Sequence, residues 1–427
     1  MIDIIQADGR AEQEKIAAMR ARSAQKNADI EAAAAAVMRD VKEGGFAAVS
    51  RYSLQFDHRE PYEVGREALE AAYQACPPEL IAALEHAAAN IRDYNEKLLS
   101  RTMEWTSPDG GRVGRIVRGL TRVGIYVPGG TAAYPSSVLM NAVPAKVAGV
   151  EEIVMVTPPT ENLNHAVLAA AKIAGVDRVI AVGGAQAVAA LTYGAGFIPK
   201  VDKLVGPGNA YVAAAKRLAY GTLDIDMVAG PSEVLVLADG TANPKYVAAD
   251  LLSQAEHDAL ASAVLLTTSA ELARAVDGEI VRQTGYLSRS AIMEASLRDF
   301  GCAIVCRSLD QAVDLANEIA PEHLEIVTAD PRALLPKIKN AGAVFLGEWS
   351  PEPLGDYLAG PDHVLPTSGT ARFFSPLSVD SFLKSMSVIE YDRQTLSPIR
   401  EEIIALAESE HLTAHANSIR VRFEDER

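Results

Sequence analysis

Cysteine, aromatic side chains and positive charge are all scarce in this 427-residue sequence, which has three cysteines, 6% aromatic residues and a formal net charge of -16. A small, odd number of cysteines excludes a disulfide-stabilised secreted scaffold and favours reduced thiols in the cytosol. The excess of acidic residues argues against nucleic acid or an anionic membrane surface as a partner. We therefore expect a cytoplasmic protein that binds neither.

Three further features are missing. The N-terminus has no cationic segment followed by an apolar one, so we expect no signal peptide. The most apolar stretch, residues 182–199, is broken by glycines and is not expected to span a membrane. The G-x-G-x-x-G fingerprint of dinucleotide-binding folds is also absent, so the sequence carries no standard signal for a nicotinamide cofactor.

Regular alternation of apolar strands with helices begins near Thr121 and continues to about residue 346. Strands that alternate with helices predict parallel sheets with helices on both faces. So many units indicate two sheets, and the fold class is therefore α/β, with two doubly wound, Rossmann-like domains. We expect helices over residues 10–105 and in the tail beyond Leu377, which gives small helical N- and C-terminal extensions.

The domain organisation is predicted to be discontinuous. We predict an N-terminal helical extension, an α/β domain that holds metal and substrate, a second Rossmann-like domain inserted in it, and a C-terminal helical tail. Their ranges are 1–22 for the extension, 23–127 with 233–376 for the metal and substrate domain, 128–232 for the inserted domain, and 377–427 for the tail.

Three glycine turns follow predicted strands, at residues 126–130, 182–186 and 205–211. In open α/β sheets such turns collect at the carboxyl ends of strands, where ligands bind. Glycine permits positive φ and close approach of the backbone to a phosphate. Turns of this kind also form for packing alone, so a nucleotide site and a purely structural role stay open.

Several metal-capable side chains stand in unusual local sequences. Gln254 and His257 are three residues apart in a predicted helix, which would place both on one face. Asp356 and His363 lie in a segment rich in proline and glycine, and His415 lies in the C-terminal tail. Two nitrogen and two oxygen ligands would suit zinc, whereas an exposed Gln–His pair on a solvated helix face is the structural alternative.

A proline-led triplet places Glu322 beside His323, directly before a predicted strand. Histidine is suited to accept a proton near neutral pH, and a carboxylate can activate water. The alternative is a histidine at a helix end beside an exposed glutamate. In the tail, Glu410 and His415 are five residues apart, and they cannot face one point on a continuous helix.

Taken together, several segments resemble the histidinol dehydrogenase family. The resemblance covers residues 20 to 422, and its combination of motifs is highly specific. The segments that carry it are RVGIYVPGGTAAYPSSVLMNAVPAKVAGV, VGPGNAYV, DMVAGPSEVLVLAD, LLSQAEHD, APEHLE, GEWSPEPLGDYLAGPDHVLPT and SPLSVDSFLK.

The resemblance implies a two-step oxidation of L-histidinol through L-histidinaldehyde to L-histidine, which consumes two NAD and one water and ends histidine biosynthesis. It also implies a homodimer whose C-terminal tails are exchanged. Matching the family's motifs assigns the zinc ligands, one ion per subunit, as Gln254, His257, Asp356 and His415. It assigns catalysis to Glu322 and His323, NAD contacts to Tyr126, Gln186 and Asn209, and substrate contacts to Ser232, His363 and Glu410 together with Gln254, His257, His323, Asp356 and His415.

Three positions depart from the family's usual residues. His411 stands where glycine is frequent, Thr131 where a basic residue is common, and Asp362 where asparagine is common.

Two other functions have to be considered beside the activity of this family. One is a paralogous zinc and NAD dehydrogenase that oxidises another primary alcohol, such as a sulfonated propanediol. The other is a zinc-dependent binding protein without catalysis, which would not need the Glu322–His323 pair.

Overall fold

The computed structural model describes residues 1–24, 28–129, 134–228 and 230–426. The strands are β1 (Asp3–Gln6), β2 (Tyr62–Val64), β3 (Met103–Thr106), β4 (Arg112–Gly119), β5 (Arg122–Tyr126), β6 (Glu152–Thr157), β7 (Arg178–Ala181), β8 (Lys203–Val205), β9 (Asp224–Ile225), β10 (Glu233–Ala238), β11 (Ser262–Thr267), β12 (Cys302–Val305), β13 (His323–Val327), β14 (Ala343–Leu346) and β15 (Leu383–Glu390).

The α-helices follow the same chain order, with short 3-10 turns between some of them. They are α1 (Ala11–Ala24), α2 (Ala28–Asp57), α3 (Arg66–Ala75), α4 (Pro78–Leu98), α5 (Pro135–Val147), α6 (His165–Ala174), α7 (Gly184–Tyr193), α8 (Ala210–Ala219), α9 (Pro244–Ala255), α10 (Ala270–Thr284), α11 (Ser290–Phe300), α12 (Leu309–Ile319), α13 (Pro331–Leu334), α14 (Glu352–Tyr357), α15 (Arg393–Leu396), α16 (Arg400–Ser409) and α17 (Thr413–Arg420).

One compact unit, residues 1–98 and 120–382, contains two six-stranded sheets. The first has the order β2-β7-β6-β5-β8-β9 and is parallel except that β2 runs antiparallel to β7. The second has the order β1-β12-β11-β10-β13-β14 and is parallel throughout. Each sheet grows in one direction for three strands and then reverses, which is the doubly wound pattern.

Sequence features end and begin the helices of the first sheet as expected. The α6 helix ends at Gly175, whose φ of 75° suits the left-handed position after a helix. Asn164 and Asn209 cap the starts of α6 and α8, and each side-chain oxygen accepts two backbone N–H groups. The buried faces are dominated by alanine and valine, which explains the low aromatic content.

A second unit consists of residues 99–119 and 383–427. It contains the antiparallel sheet β15-β4-β3 and the helices α15, α16 and α17. Ile404, Ala407 and Ala416 form a small buried cluster between α16 and α17.

Several local predictions were wrong. Residues 3–6 form an edge strand that pairs with β12, and two short strands interrupt the helical region at residues 62–64 and 103–106. The tail was expected to be helical, but it begins with β15, which pairs with β4 along eight residues. β1, β2 and β15 pair with strands that are distant in the sequence, whereas residues 103–106 pair with the neighbouring β4. At each place strand pairing overrides local helical preference. The predicted domain boundaries stay a prediction.

The paired glycines at 44 and 45 interrupt the helical geometry of α2. Gly45 has φ 56° and ψ -139°, so α2 consists of two helical segments that meet at a kink. No helix in the described ranges combines the length and the apolar character that crossing a bilayer requires.

Candidate active site

Seven of the residues singled out from the sequence line one cavity of 370 Å³ in the larger unit. They come from positions up to 131 residues apart in the chain, and only the fold brings them together. They are Ser232, Gln254, His257, Glu322, His323, Asp356 and His363.

The cavity lies at the amino ends of the central strands of the second sheet. Ser232 directly precedes β10, and His323 is the first residue of β13. The register pairs Val234 with His323, so the starts of the two strands lie side by side. Parallel alignment thus brings the Glu322–His323 pair next to Ser232.

His323 is buried and held by one backbone contact. Its Nδ1 lies 3.0 Å from the carbonyl oxygen of Glu233, to which an Nδ1–H group donates. Burial lowers the pKa of His323 to about 4, so the ring is neutral at physiological pH. The Nε2 lone pair is then available for a proton or a metal ion.

Glu322 is equally buried, and its Oε2 accepts the backbone N–H of Glu233 at 2.8 Å. Burial, opposed by this hydrogen bond, raises the pKa of Glu322 well above its ordinary value, and the negative charges of Glu233 and Asp356 raise it further. Adjacent residues point in different directions along a strand. Here the side chains of Glu322 and His323 converge, because Glu322 lies in the turn before the strand. Both side chains contact the backbone of Glu233 in β10.

Gln254 and His257 were expected on one face of a helix, and this local prediction was wrong. The α9 helix ends at Ala255, and His257 lies in the turn that follows, where its N–H contacts the carbonyl of Gln254 at 3.2 Å. Both side chains nevertheless line the cavity. Gln254 is only 1% exposed, and among the described residues its Oε1 has no hydrogen-bond partner.

Asp356 is carried by the short helix α14. Gly355 beside it lacks a side chain for a steric reason, since a Cβ there would lie 2.7 Å from the ring of Phe345. The Nδ1 of His363 lies 3.2 Å from the carbonyl of Asp356, and its Nε2 lies 3.2 Å from the hydroxyl of Ser137. Burial lowers the pKa of His363, so its ring also favours the neutral form.

Glu352 is a cavity residue that the sequence reasoning missed. It is 2% exposed, its Oε1 lies 3.9 Å from Nε2 of His323, and burial and the charge of Asp356 raise its pKa to about 9. Ligand atoms of His323, Glu352 and Asp356 lie within 4.8 Å of one another, a grouping that could hold a metal ion. The available signal was the four-residue spacing of Glu352 and Asp356, which puts both on one helix face.

The three glycine turns meet at the carboxyl ends of the first sheet. Tyr126 ends β5, its hydroxyl accepts the N–H of Gly184 at 3.1 Å, and burial raises its pKa to about 12. Gln186 is buried at the start of α7 and donates to a carboxylate oxygen of Asp57 at 3.3 Å. Asn209 is exposed before α8. Gly130 and Thr131, which were also singled out, lie outside the described residues.

Gly206 shows why the third turn needs glycine. Its φ is 103°, and a Cβ at this position would lie 2.2 Å from the carbonyl oxygen of Tyr126. Both the left-handed backbone and the close approach exclude a side chain. Pro207 and Gly208 of the same turn line the cavity that holds the catalytic candidates. The carboxyl edge of the first sheet and the amino edge of the second therefore share one space.

Glu410 and His415 belong to the smaller unit, and both are exposed. Glu410 follows α16, and His415 lies in α17, so the helix does end between them. His411 has φ 60°, a left-handed conformation that favours glycine and accounts for the residue type expected there.

Comparison with known proteins decides the family. The model of one protein family, described as histidinol dehydrogenase, matches residues 20–423. The chain belongs to the histidinol dehydrogenase family. A histidinol dehydrogenase of Clostridium acetobutylicum is 53% identical over 428 residues, which cover 99% of each chain. A histidinol dehydrogenase of Moorella thermoacetica is 55% identical over 390 residues, which cover 90% of this chain and 92% of the relative.

The fold agrees with the family assignment. A crystal structure of histidinol dehydrogenase from Elizabethkingia anophelis matches with a TM-score of 0.94 and 37% sequence identity, over 100% of this chain and 98% of that chain. The α/β fold class and the resemblance seen in the sequence are thereby confirmed. Family membership makes the chain an enzyme of the oxidoreductase class, so the hypothesis of a non-catalytic zinc-binding protein was wrong.

Proposed function

We propose that this enzyme oxidises L-histidinol through L-histidinaldehyde to L-histidine, with two NAD and one water, as the last step of histidine biosynthesis. The observation that carries the proposal is the convergence of seven motif residues on one cavity. Three buried or half-buried acids, Glu322, Glu352 and Asp356, line it, and no lysine or arginine does among the described lining residues. A fourth lining acid, Asp226, is already paired with Lys216. Such a pocket suits a cationic amino alcohol.

A zinc ion fits the donor set of this cavity. The amide oxygen of Gln254 is buried without a hydrogen-bond partner among the described residues, which costs free energy unless a ligand satisfies it. Gln254, His257 and Asp356 would hold one ion per subunit, with His415 of the tail as the fourth ligand. A bound zinc ion would anchor the amine and imidazole nitrogens of the substrate and polarise its reacting end.

The chain's own residues then move the protons. Nε2 of His323 takes the hydroxyl proton of the alcohol, because Nδ1–H is occupied by the Glu233 carbonyl. Glu322 deprotonates the water that attacks the aldehyde. Positive charge from substrate and ion favours its carboxylate form, opposing the effect of burial. The cavity walls retain the aldehyde between the two steps.

Tyr126, Gln186 and Asn209 would contact NAD, which accepts one hydride in each oxidation step. The glycine turns support this assignment, since they leave backbone exposed at the switch point between β5 and β8, where dinucleotides bind in open α/β sheets. Pro128 and Gly208 line both this edge and the shared cavity. The reacting carbon and the nicotinamide would thus meet between the two sheets.

Ser232, His363 and Glu410 would complete the substrate pocket. The competing substrate, a sulfonated propanediol, carries a permanent negative charge and would require basic side chains. The acidic lining opposes it. Oxidation of a sulfonated diol is the alternative, and a negative result with histidinol would favour it.

We also propose a homodimer whose tails are exchanged. In the smaller unit, the register aligns Ile389, Val113 and Trp105 across the three strands, and Ile389 and Trp105 are 75% and 54% exposed. A row of exposed apolar side chains is typical of an interaction surface. A partner of the same chain would cover it and bring Glu410 and His415 to the site of the other subunit. A cytoplasmic location likewise stays a prediction.

The deciding experiment is an NADH-release assay with zinc-loaded enzyme on L-histidinol and on the sulfonated diol. We expect turnover only with histidinol, at two NADH per substrate, and none with His323→Asn. Turnover of the diol alone would overturn the choice of substrate. For tail exchange, mixing inactive His323→Asn with inactive Glu410→Gln subunits should restore partial activity, and absence of rescue in confirmed heterodimers would count against it.

A further inference from the structure

Two carboxyl groups face each other in the interior of the second sheet, one layer behind the cavity. Glu325, in the middle of β13, is 1% exposed, and Asp250 lies on α9, the helix that also carries Gln254. In the described part of the chain Oε2 of Glu325 has no hydrogen-bond donor, and the Asp250 carboxyl lies close enough to Glu325 to raise its pKa. Asp250 is half-buried, and two such neighbouring carboxylates repel unless they share a proton, which makes one of them a hydrogen-bond donor.

Burial and the neighbouring Asp250 raise the pKa of Glu325 well above its ordinary value, whereas the pKa of Asp250, raised mainly by burial, stays near 6. A protonated Glu325 can donate to the Asp250 carboxylate, and in that arrangement the two carboxyl groups attract rather than repel each other. We call these two residues the Asp250–Glu325 pair.

The other oxygen of Glu325 reaches the start of α14. Its Oε1 accepts the backbone N–H of Glu352 at 2.7 Å, while Pro351 at the helix start offers no side-chain hydrogen bond. The hydroxyl of Ser253, on α9, lies 3.4 Å from Oε2 of Glu352. One turn further along α14 is Asp356, on the same helix face as Glu352.

We propose that the Asp250–Glu325 pair is a positioning device that fixes α14 against β13 and α9, and thereby places Asp356 at the metal and Glu352 beside His323. Neither residue of the pair touches substrate or ion. The same pair joins α9, which carries Gln254, to α14, which carries Asp356. Two of the proposed ligands from separate helices are therefore tied together through Glu325.

This inference rests on the proposed metal site, because the position of Asp356 is read out through the ion. A purely structural role of Glu325 predicts a different result. In that case its loss would lower the unfolding temperature without changing the affinity for metal in the protein that stays folded. Residues that orient metal ligands typically change metal affinity 10- to 100-fold when they are replaced.

The experiment uses the full-length protein and compares three variants. Glu325→Met keeps the volume but removes the acceptor for the Glu352 N–H. Glu325→Gln keeps the acceptor, and its amide donates to Asp250 in place of the shared proton. Gln283→Met is the matched control, because Gln283 is 7% exposed and donates to the Lys245 carbonyl at 2.9 Å at the other end of α9, away from α14.

The first readout is the affinity for Zn²⁺, measured by competition with a chromogenic chelator, and the second is the visible absorption of the Co²⁺-loaded protein. We expect Glu325→Met to weaken metal binding about tenfold or more and to alter the Co²⁺ bands. Glu325→Gln and Gln283→Met should stay within about threefold of the wild type and keep its spectrum, even if both lower the unfolding temperature.

Wild-type affinity in folded Glu325→Met would overturn the proposal, and so would an equal loss in Gln283→Met. If Glu325→Met does not fold, Asp250→Leu takes its place at a less buried position; a loss of affinity supports the proposal and wild-type affinity overturns it. If the wild-type protein itself binds neither Zn²⁺ nor Co²⁺, the metal site fails rather than the positioning role.

Discussion

The two large sheets have the same winding but use opposite ends. Each reverses direction between two central strands, β5 and β8 in the first sheet and β10 and β13 in the second. The first sheet presents its glycine turns at the carboxyl ends of these strands, as open α/β sheets usually do. The second presents Ser232, Glu322 and His323 at the amino ends. Two sheets with the same winding therefore carry their candidate functional residues at opposite ends of their strands.

The chemistry available at each edge explains the difference. The carboxyl edge of the first sheet offers backbone and small residues, which suits the extended, charged backbone of a dinucleotide. The amino edge of the second sheet offers titratable side chains that are oriented by a neighbouring strand. The N–H of Glu233 holds Glu322, and its carbonyl holds His323. In the proposed function, the carboxyl edge of the first sheet binds the cofactor and the amino edge of the second sheet moves protons.

The largest effect on catalysis is expected at the amino edge of the second sheet. Glu322→Gln keeps the acceptor for the Glu233 N–H but removes the base for water. We expect kcat to fall about 10²- to 10⁴-fold. The loss should fall mainly on the second oxidation, so that the early NADH yield per histidinol drops from two to one. Rapid-quench measurement of histidinol, aldehyde and histidine checks this.

If the two edges have separate roles, Glu322→Gln should leave the KM for NAD nearly unchanged. A large rise in that KM without a fall in kcat would contradict a separation of binding and proton transfer between the two edges.

A smaller effect is expected at the carboxyl edge. Gly206→Ala must place a Cβ 2.2 Å from the Tyr126 carbonyl oxygen in a left-handed conformation, whereas Gly221→Ala has a φ of 95° and open space. We expect Gly206→Ala to cost roughly 2–4 kcal/mol of unfolding free energy, and Gly221→Ala about 1–2 kcal/mol. Urea unfolding of both variants measures the difference. Equal losses would show that the turn has room for a side chain.

Most of the fold could be predicted from sequence where local signals and tertiary structure agree. Every strand from β5 to β8 and from β10 to β14 was expected, because each is a short apolar run followed by a turn or a helix. The edge strands β1, β2, β3 and β15 were missed. They are short or largely exposed, and the pairing of β1, β2 and β15 depends on partners that are distant in the chain, whereas β3 pairs with the adjacent β4.

Seven residues that line the cavity could be named from the sequence, but their arrangement could not. Family motifs named these seven, whereas spacing alone misjudged His257, which lies beyond the end of α9. Glu352 and the Asp250–Glu325 pair were not found, because a buried carboxyl looks like a surface carboxyl in the sequence. Only their burial and their contacts with β13 and α14 single them out.

A comparison of Asn209 with Asn164 can distinguish helix capping from cofactor binding. Its side-chain oxygen accepts the N–H groups of Tyr211 and Val212, and Asn164 caps α6 in the same way. Replacement of either asparagine by alanine should cost about 1 kcal/mol of unfolding free energy. Only Asn209→Ala should also raise the KM for NAD. An equal rise in Asn164→Ala would mean that the loss of a cap, and not of a contact, weakens cofactor binding.

A further effect, which depends on pH, is expected at Asp362, directly before the cavity residue His363. Its Oδ1 accepts the N–H of Val364, its Oδ2 has no partner among the described residues, and burial, together with the charge of Asp226, raises its pKa well above the ordinary value of 3.8. Asp362 is therefore neutral in the folded protein over a pH range in which it ionises in the unfolded chain. As pH rises from about 4 towards the folded pKa, this difference progressively favours unfolding.

Asp362→Asn removes the ionisation and keeps the acceptor for Val364. Near pH 4 the variant and the wild type should have similar unfolding free energies, and by pH 8 the variant should be more stable by roughly 1–3 kcal/mol. Urea unfolding across this range measures the gap, with Asp314→Asn, an exposed position on α12, as a control for the loss of one negative charge. A gap that does not widen with pH would show that Asp362 folds in its charged form. Asparagine at this position would then offer no advantage in unfolding free energy.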